Sequence, residues 1–453
     1  MRRVLIANRG EIAFRIVRAC RSLGLESVAV YSEADRASPH VWAADRAVRI
    51  GPAAPERSYL DANALLHVAR ACGCDAIHPG YGFLAENHEF AARCIGEGLV
   101  FVGPSPETIG LMGDKAAARR CAARLGVPVA PGSEAAFADA AHAAEAAVGI
   151  GFPVLLKARA GGGGRGMRVA DSAEAFEGLF LQAKAEAAAA FGDGAIYLER
   201  YIPRVRHVEV QVFGDSHGNL RHLWERDCTV QRRHQKLIEE AFSPALGPGT
   251  RKQICEAAEA LARGVGYVGA GTVEFIYDLD NGGYYFIEMN TRIQVEHPVT
   301  EVLTGIDLVA EQLRVAAGHE LSFARNGAPR ADGHVIEFRI NAEDADNDFM
   351  PAPGRLSRWR PPSGAGLRLD SHVYEGYAVS PYYDPLLGKL IVRGADRVEA
   401  MARARAALTD FEVEGIATTV PFHLRMLNHP DFVESRVHTR WIEEQTSAKA
   451  RHG

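Results

Sequence analysis

Residues 4–31, VLIANRGEIAFRIVRACRSLGLESVAVY, decide the fold of the first part of the chain. The run Val4–Ala7 predicts a short buried strand, and Glu11–Leu23 predicts a helix because its apolar residues recur at helical spacing. Gly24 suits the left-handed conformation that commonly ends a helix, and Ser27–Tyr31 predicts the next strand. This alternation of strand and helix indicates an α/β fold with a parallel sheet.

The same alternation continues to about Gly113, which predicts a doubly wound parallel sheet over residues 1–113. Sheets of this kind often bind a nucleotide at the turn after the first strand. Here that turn reads Asn8-Arg9-Gly10-Glu11 and lacks the glycine spacing of a dinucleotide fingerprint. We therefore place no nucleotide site at this turn.

The composition of the chain narrows the classes of function. Its 453 residues suggest about two to four packed units. Hydrophobic residues make up 47% and charged residues 24%, as in globular proteins, and a net charge of −6 argues against a nucleic-acid surface. The first apolar run is too short for a signal peptide, and no later run approaches a membrane span. We expect a cytoplasmic protein without nucleic-acid or membrane partners.

The seven cysteines are scattered along the sequence from Cys20 to Cys255. The nearest approach to a motif is Cys72-Gly-Cys74, which lacks the second pair that a structural zinc site needs. This usage predicts reduced, mostly buried thiols rather than a disulfide framework.

Three further units are predicted after the first sheet. Residues 114–320 form a central domain, and residues 131–203 within it, rich in alanine and glycine, predict a small lid with two helices and a mobile loop. The polar segment Gly318–Gly333 predicts a linker. Strand-like runs beyond it predict a C-terminal α+β domain over residues 334–445.

A glycine-rich loop lies within the lid. Residues 157–167 read KARAGGGGRGM and separate the strand-like runs Pro153–Leu156 and Met167–Ala170. A Rossmann or Walker loop would lead from a strand into a helix, and the Walker Lys-Ser/Thr pair is absent. Glycines let backbone N–H groups approach phosphate oxygens, which favours a phosphate-binding loop, with an ordinary flexible hairpin tip as the alternative.

Two acidic residues face each other in a predicted hairpin. Residues 272–290 read TVEFIYDLDNGGYYFIEMN, and symmetric folding about Asn281 places Glu274 opposite Glu288, with Asn290 pointing the same way. Facing carboxylates repel unless a proton or a cation lies between them, and oxygen-only ligands suit Mg²⁺. A register slip that separates the two acids on a solvated face is the alternative.

The segment after this hairpin, residues 292–298, reads RIQVEHP. If it stays extended, Arg292, Gln294 and Glu296 point one way and form a pocket for a small oxyanion, with Glu296 as a base. A solvated edge strand is the alternative. A further polar run, residues 225–236 (ERDCTVQRRHQK), bears on function only if it folds near the metal site.

Taken together, these segments resemble the biotin carboxylase family of ATP-grasp enzymes. The matching runs cover nearly the whole chain in order: Ile6–Ala13, His78–Leu84, Gly161–Met167, Glu225–Lys236, Glu288–Pro298, Arg339–Glu343 and Tyr382–Asp384. The resemblance implies an N-terminal doubly wound parallel sheet, then an ATP-grasp domain with a mobile glycine-rich lid, then a C-terminal α+β domain.

The resemblance also implies an ATP site between the lid and the central domain. The phosphates would be held by Lys115, Lys157, Gly163 and Gly164. Adenine, ribose and phosphate contacts would come from Glu199, Arg200, Tyr201, Ile202, His207, Gln231 and His234.

The same resemblance assigns metals and catalytic groups. Two Mg²⁺ or Mn²⁺ ions would bind Glu274 and Glu288, and Asn290 would complete the second site. Glu296 resembles the base that deprotonates bicarbonate, and Arg339 resembles the residue that stabilises the biotin enolate. Bicarbonate itself would be held by Lys236, Arg292, Gln294 and the backbone of Val295.

The implied reaction starts with attack of bicarbonate on the γ-phosphate of ATP to give carboxyphosphate. Carboxyphosphate then releases CO₂ and phosphate, the phosphate takes a proton from biotin, and biotin captures the CO₂. This would be the first half-reaction of an acyl-CoA carboxylase, with acetyl-CoA converted to malonyl-CoA. None of the seven lysines has a neighbouring methionine, unlike the family's carrier lysine in Ala-Met-Lys-Met. Biotin should therefore sit on a separate biotin carboxyl carrier protein, with a carboxyltransferase as a second partner.

Three positions depart from the family pattern. Ser22 stands where a dimer-forming acid is found in a known member, which leaves the usual homodimer open. Arg159 replaces a small residue, which puts the packing of the lid in doubt, and Arg200 stands where lysine is frequent. Two alternatives stay open: another ATP-grasp ligase, such as half of a carbamoyl-phosphate synthetase, and a non-catalytic nucleotide-binding subunit.

Overall fold

The computed structural model of the protein describes residues 1–133, 135–159, 167–323 and 329–452. Its first sheet is parallel and has the strand order β3-β2-β1-β4-β5. The five strands are β1 (Arg3–Ile6), β2 (Glu26–Ser32), β3 (Arg46–Gly51), β4 (Ala76–His78) and β5 (Val100–Phe101). The helices around it are α1 (Gly10–Ser22), α2 (Pro39–Ala43), α3 (Ala62–Ala71), α4 (His88–Gly96) and α5 (Pro106–Gly113).

The predicted doubly wound sheet is confirmed. Its direction of winding reverses between β1 and β4, so the crevice outside their carboxyl ends opens beside Asn8–Glu11. Gly24 ends the first helix region at φ +67°, the left-handed conformation expected for it.

A small three-stranded sheet with its own apolar core forms the predicted lid region. Its strands are β6 (Val154–Ala158), β7 (Met167–Ala170) and β8 (Ile196–Arg200), in the order β7-β6-β8. The helices of this part are α7 (Ala140–Ile150) and α8 (Ala173–Phe191). The preceding helix α6 (Lys115–Arg124) lies outside the predicted lid and packs in the core of the eight-stranded sheet. Since β6 and β7 pair antiparallel, the glycine run does connect two strands. Gly163 and Gly164 themselves lie outside the described residues.

The largest sheet has eight antiparallel strands in the order β13-β12-β9-β10-β11-β14-β21-β19. They are β9 (Val205–Gly214), β10 (Leu220–Arg232), β11 (Gln235–Ala241), β12 (Gly269–Asp278), β13 (Tyr284–Asn290), β14 (His334–Asn341), β19 (Leu367–Ser371) and β21 (Leu386–Gly394). Helices α9 (Pro248–Gly264), α10 (His297–Thr304) and α11 (Leu308–Ala316) accompany them. Because β11 pairs with β14, strands from both sides of the predicted linker share one sheet.

Short strand pairs and four helices complete the C-terminal part. The short strands are β15 (Glu343–Asp344), β16 (Met350–Pro351), β17 (Gly354–Arg355), β18 (Arg358–Arg360), β20 (Ala378–Val379) and β22 (Glu412–Glu414). The helices are α12 (Arg397–Thr409), α13 (Val420–Asn428), α14 (Pro430–Val433) and α15 (Trp441–His452). All seven cysteines carry free thiols, and six of them are buried. Within the described ranges, no helix has the length and apolar character to cross a membrane.

Candidate active site

One cavity of about 2110 Å³ lies between the first sheet, the lid region and the eight-stranded sheet. Its wall includes every described residue that the sequence predicted for the site except Glu296, which lies beneath the wall and is fully buried. Pockets for one small ligand typically measure about 300–1,000 Å³. The cavity therefore has room for more than one ligand.

The β12–β13 hairpin brings two predicted metal ligands together. Glu274 pairs directly with Glu288, as predicted, but the symmetric register about Asn281 is wrong near the turn, where Phe275 pairs with Phe286. A β-bulge at Ile287 supplies the extra residue between the two registers. Without it, Glu288 would point to the opposite face of the sheet, because side chains alternate with a period of two.

Glu274 is buried and is surrounded by donors. Its Oε1 accepts hydrogen bonds from Lys236 Nζ at 3.0 Å, Asn290 Nδ2 at 3.0 Å and Gln294 Nε2 at 3.3 Å. Its Oε2 lies 3.0 Å from His207 Nε2. Burial alone would raise the pKa of Glu274, but the charges of Lys236 and His207 lower that pKa well below its usual value. Glu274 is therefore held as a carboxylate.

The donor set of the hairpin fits a hard metal ion. Glu274, Glu288 and Asn290 offer only oxygen ligands, which Mg²⁺ and Mn²⁺ accept. The Glu288 side chain is 33% exposed to the cavity, and its Oε2 lies 3.3 Å from Lys115 Nζ. Within the described part of the chain, two other groups of side chains could converge on a metal ion. The groups are His207 with Glu209 and Glu274, and Glu209 with Cys228 and Glu296. In each group, Lys236 already bonds to both carboxylates and supplies the positive charge.

Lys236 is the centre of the charged cluster. Its Nζ donates to Glu209 Oε2 at 2.6 Å and to Glu296 Oε1 at 2.7 Å, in addition to Glu274. Burial would lower the pKa of this lysine, but the three carboxylates raise it well above its usual value. The polar run Glu225–Lys236 therefore does reach the hairpin, because its last residue bonds to Glu274.

Glu296 lies between two cations. Besides Lys236, Arg339 Nη2 donates to Glu296 Oε2 at 2.9 Å. Burial would raise the pKa of Glu296, but Lys236, Arg339 and Arg226 lower it well below the usual value. The other side of Arg339 donates from Nε to Glu239 Oε1 at 2.7 Å, and burial raises the pKa of Glu239 to about 7.

The segment from Arg292 to Glu296 is not the extended strand that its alternation predicted. It is irregular, and Glu296 occupies the N-cap position of α10, whose first turn contains Pro298. Proline favours the first turn of a helix, so His297-Pro298 begins a helix instead of continuing a strand. The side chains nevertheless converge, since Arg292 donates to Gln294 Oε1 at 3.0 Å and to Asn290 Oδ1 at 2.9 Å.

The predicted nucleotide contacts line the part of the cavity nearest the lid. Lys157 on β6 pairs with Glu199 on β8, and Glu199 also faces Arg119 at 3.8 Å. Gln231 Nε2 lies 3.5 Å from His207 Nδ1. The remaining residues predicted for this region also line the wall: Lys115, Arg200, Tyr201, Ile202 and His234. Cations and polar side chains here face the space where a nucleotide phosphate chain would fit.

One part of the cavity wall is formed by residues of the first sheet and of the C-terminal part, and we call it the second recess. This recess is lined by Asn8–Glu11, Tyr81–Phe83, His372 and Tyr382–Leu386. Its walls are joined by Arg9, which forms a bidentate pair with buried Asp35 at 2.6 Å and lies 4.0 Å from the Tyr383 ring centre. Three of the runs that resemble the family lie in this recess, Ile6–Ala13, His78–Leu84 and Tyr382–Asp384. No site residue was predicted in them from the sequence.

Several residues that organise the site were missed from the sequence. Glu86 accepts hydrogen bonds from Arg292 Nε at 2.8 Å and from the backbone of Thr291 at 3.1 Å. The missed residues also include Glu209, Arg226, Glu239 and Lys389. Acidic or basic residues inside apolar strand runs, such as Glu209 in Val208–Val212, were the available signal.

Comparisons with known proteins agree with this geometry. The sequence model of the biotin carboxylase N-terminal domain matches residues 1–109, and that of the biotin carboxylase C-terminal domain matches residues 337–444. Between them, the model of the carbamoyl-phosphate synthase L chain ATP-binding domain matches residues 114–324. The chain is also 52% identical to biotin carboxylase 1 of Bacillus subtilis over 98% of both chains.

The chain belongs to the biotin carboxylase family. It is an ATP-dependent ligase that carboxylates biotin, which confirms the enzyme class predicted from the sequence. Among its relatives is a pyruvate carboxylase subunit from Methanothermobacter thermautotrophicus, which is 48% identical over 98% of this chain and 89% of the relative.

Solved biotin carboxylase structures share the whole fold. The enzyme from Campylobacter jejuni, solved as a biotin carboxylase-beta-gamma-ATP complex, is 46% identical over 98% of both chains with a TM-score of 0.93. The biotin carboxylase domain dimer of Hydrogenobacter thermophilus 2-oxoglutarate carboxylase, with MgADP, ADP and bicarbonate, is 46% identical over the same shares with a TM-score of 0.92. The predicted fold class is thereby confirmed.

Proposed function

We propose that this biotin carboxylase uses bicarbonate, through carboxyphosphate, to carboxylate biotin held on a separate carrier protein. We further propose that a carboxyltransferase partner passes the carboxyl group to acetyl-CoA. The observation that carries the first proposal is the position of Glu296. This residue is buried and held ionised between Lys236 and Arg339, close to the β12–β13 hairpin. This carboxylate is unprotonated, as a base that takes the proton of bicarbonate must be.

Nucleotide binding is the first step. Lys115 and Lys157 would neutralise the phosphates. To bind them, Lys157 would break its ion pair with Glu199. We propose that residues 131–203 act as the lid that closes over the nucleotide and excludes water. The adenine would lie along Glu199–Ile202, and His207, Gln231 and His234 would face the ribose and phosphates.

Metal ions would be held by side-chain oxygens of Glu274, Glu288 and Asn290. Bound there, they would supply charge neutralisation for the triphosphate. The chain's own contribution is a carboxylate that stays ionised, since Lys236 and His207 keep the pKa of Glu274 low.

Bicarbonate would lie against Lys236, Arg292, Gln294 and the backbone of Val295. Glu296 takes its proton, and a bicarbonate oxygen bonds to the γ-phosphorus as the bond to ADP breaks. The resulting carboxyphosphate separates into CO₂ and phosphate, and phosphate accepts the ureido proton of biotin. Arg339, fixed by Glu296 and Glu239, faces the cavity where it stabilises the biotin enolate until the enolate bonds to CO₂.

Phosphate release tests this reaction. With ATP and Mg²⁺, hydrolysis should require bicarbonate and should rise when free biotin is added. Hydrolysis unchanged in bicarbonate-free buffer would contradict the carboxylase mechanism. Stimulation by ammonia in place of biotin would favour a carbamoyl-phosphate type of ligase. Residues 114–324 match the sequence model named for the ATP-binding domain of that enzyme.

The partners and the final acceptor need a separate experiment. The relatives include subunits named for pyruvate and methylcrotonoyl-CoA carboxylases, so the acceptor is tested directly. The enzyme, a biotinylated carrier and a carboxyltransferase from the same cell should form malonyl-CoA from acetyl-CoA. Formation of oxaloacetate from pyruvate instead would overturn the acetyl-CoA proposal alone. Sedimentation of the enzyme tests the homodimer that Ser22 left open.

A further inference from the structure

A fully buried lysine lies behind the turn Gln294–Glu296, which precedes α10 and is proposed to contact bicarbonate. Lys389 on β21 is 0% exposed, and its Nζ donates to the backbone carbonyl of Val295 at 2.8 Å. The same Nζ lies 3.0 Å from Oε2 of Glu11, which is also buried. Lysine is almost never fully buried unless it is paired, because desolvation of its charge is costly. Such a residue in the interior of a strand needs a reason beyond packing.

The bonded carbonyl belongs to the peptide that joins Val295 to Glu296. Its neighbour, the carbonyl of Gln294, accepts a hydrogen bond from Nδ1 of buried His297 at 2.8 Å. Burial, with the charges of Lys389 and Arg15, lowers the pKa of His297 well below its usual value, so the ring is neutral and Nδ1 carries its proton. Two successive peptide planes of the turn are thus each held by a buried side chain.

We propose that Lys389 is a positioning residue that aims Glu296 at bicarbonate by fixing the Val295–Glu296 peptide. This inference rests on the proposed function of Glu296 as the base. Glu296 occupies an N-cap position, where short polar side chains such as Asp commonly bond to the first helical N–H groups. Here its side chain makes no such bond and points to Lys236 and Arg339 instead. The hydrogen bond from Lys389 fixes the orientation of the Val295–Glu296 peptide, and this orientation directs the Glu296 side chain toward Lys236 and Arg339.

Glu11 links this support to the second recess. Its Oε2 also accepts the Tyr81 hydroxyl at 3.0 Å, and Tyr81 lines the recess. The chain Tyr81–Glu11–Lys389–Val295 therefore connects the wall of the second recess to the turn that carries the base. A second carboxylate, Asp370, pairs with Arg368 at 2.6 Å and lies opposite Lys389 in the β19–β21 pair, so a negative charge stays near Lys389 when Glu11 is neutralised. Burial also raises the pKa of Glu337 well above its usual value, which disfavours its charged form.

The test compares two variants of the whole enzyme. Lys389→Met alone would leave Glu11 buried without a cation, so the substitution is combined with Glu11→Gln, which keeps the site neutral. Glu11→Gln alone keeps Lys389 and its bond to Val295. In bicarbonate-dependent ATP hydrolysis, we expect kcat/KM for bicarbonate to fall roughly 10²-fold in the double variant, the scale of a 1 Å misplacement of a reacting group. The single variant should change less than about threefold, and the KM for ATP should stay within about twofold in both.

A matched control removes a buried ion pair elsewhere. Arg251 and Glu225 pair at 2.6 Å outside the cavity, so Arg251→Met with Glu225→Gln should lower stability without changing the KM for bicarbonate. If the Lys389 double variant keeps the wild-type kcat/KM for bicarbonate, or loses its kinetic parameters for ATP and bicarbonate together, the positioning role is wrong. Absence of bicarbonate dependence in the wild type would instead overturn the proposed function.

Discussion

Arg339 and Glu296 are joined by a hydrogen bond of 2.9 Å across 43 positions of sequence. The bond links the group proposed to stabilise the biotin enolate to the group proposed to deprotonate bicarbonate. Arg339 lines the cavity, whereas Glu296 is fully buried behind it. One guanidinium thus lowers the pKa of the proposed base and lines the cavity in which biotin is proposed to bind.

Arg339→Gln should change the pH dependence of bicarbonate activation. The Arg339 charge is one of those that lower the pKa of Glu296, so its removal should raise that pKa and protonate more of the base at a given pH. The acidic limb of the kcat/KM profile for bicarbonate should therefore move to higher pH. Arg358→Gln, a substitution at a partly exposed position on β18, should leave the profile in place. An unchanged acidic limb in Arg339→Gln would contradict this electrostatic role.

Glu239 should make the folded protein more stable as pH falls from 8 to 6. Burial raises its pKa to about 7 in the folded state, whereas an unfolded chain has a Glu pKa of about 4.3. The folded state therefore binds more protons over this range, and the free energy of unfolding rises by about 1 kcal/mol on acidification. Urea unfolding of the wild type and Glu239→Gln at both pH values isolates this contribution. Parallel pH dependences of the two proteins would show that Glu239 is not protonated near pH 7.

Glu86→Gln should weaken the binding of bicarbonate. Glu86 reaches Arg292 from the first sheet's side and accepts its Nε hydrogen bond at 2.8 Å. With a neutral partner, Arg292 should lose its fixed orientation, and the KM for bicarbonate should rise about tenfold, which corresponds to about 1.4 kcal/mol. Glu89→Gln, an exposed change on α4, is the matched control and should behave as wild type. An equal KM for bicarbonate in both variants would rule out this contribution.

Nucleotide binding should protect the lid strands from hydrogen exchange. Lys157 on β6 pairs with Glu199 and must exchange that partner for phosphate. Backbone amides of Val154–Ala158 and Met167–Ala170 should therefore exchange more slowly with ATP and Mg²⁺, while those of Arg3–Ile6 in the first sheet should not change. Equal exchange of β6 and β7 with and without nucleotide would contradict closure of the lid.

The sequence predicted the elements whose cause is local. The alternation of Val4–Ala7 with Glu11–Leu23 sufficed for the parallel sheet. The pairing of Glu274 with Glu288 was also predicted, although in the structure it depends on a bulge at Ile287. The bulge at Ile287 could not be predicted, because nothing in the residue types shows where an antiparallel pair gains a residue.

Residues whose meaning depends on distant partners were missed. Lys389 stands in the apolar run Leu386–Val392, and its partners Glu11 and Val295 are supplied by other parts of the chain. A lysine inside a strand that is otherwise buried indicates that some partner exists, but it does not identify the partner. The roles assigned to site residues from the family resemblance remain predictions for the experiments above.

Glu296→Gln, measured beside Glu288→Gln, tests the central claim most directly. Both variants are titrated with ATP and Mg²⁺ and then assayed for bicarbonate-dependent phosphate release. Loss of a general base should lower the turnover of Glu296→Gln roughly 10²–10⁴-fold. Its nucleotide affinity should stay at the wild-type value, because Glu296 lies beneath Lys236 and Arg339, whereas Glu288→Gln should weaken Mg²⁺-supported ATP binding. Normal turnover in Glu296→Gln, or a loss explained entirely by weaker ATP binding, would contradict its assignment as the base.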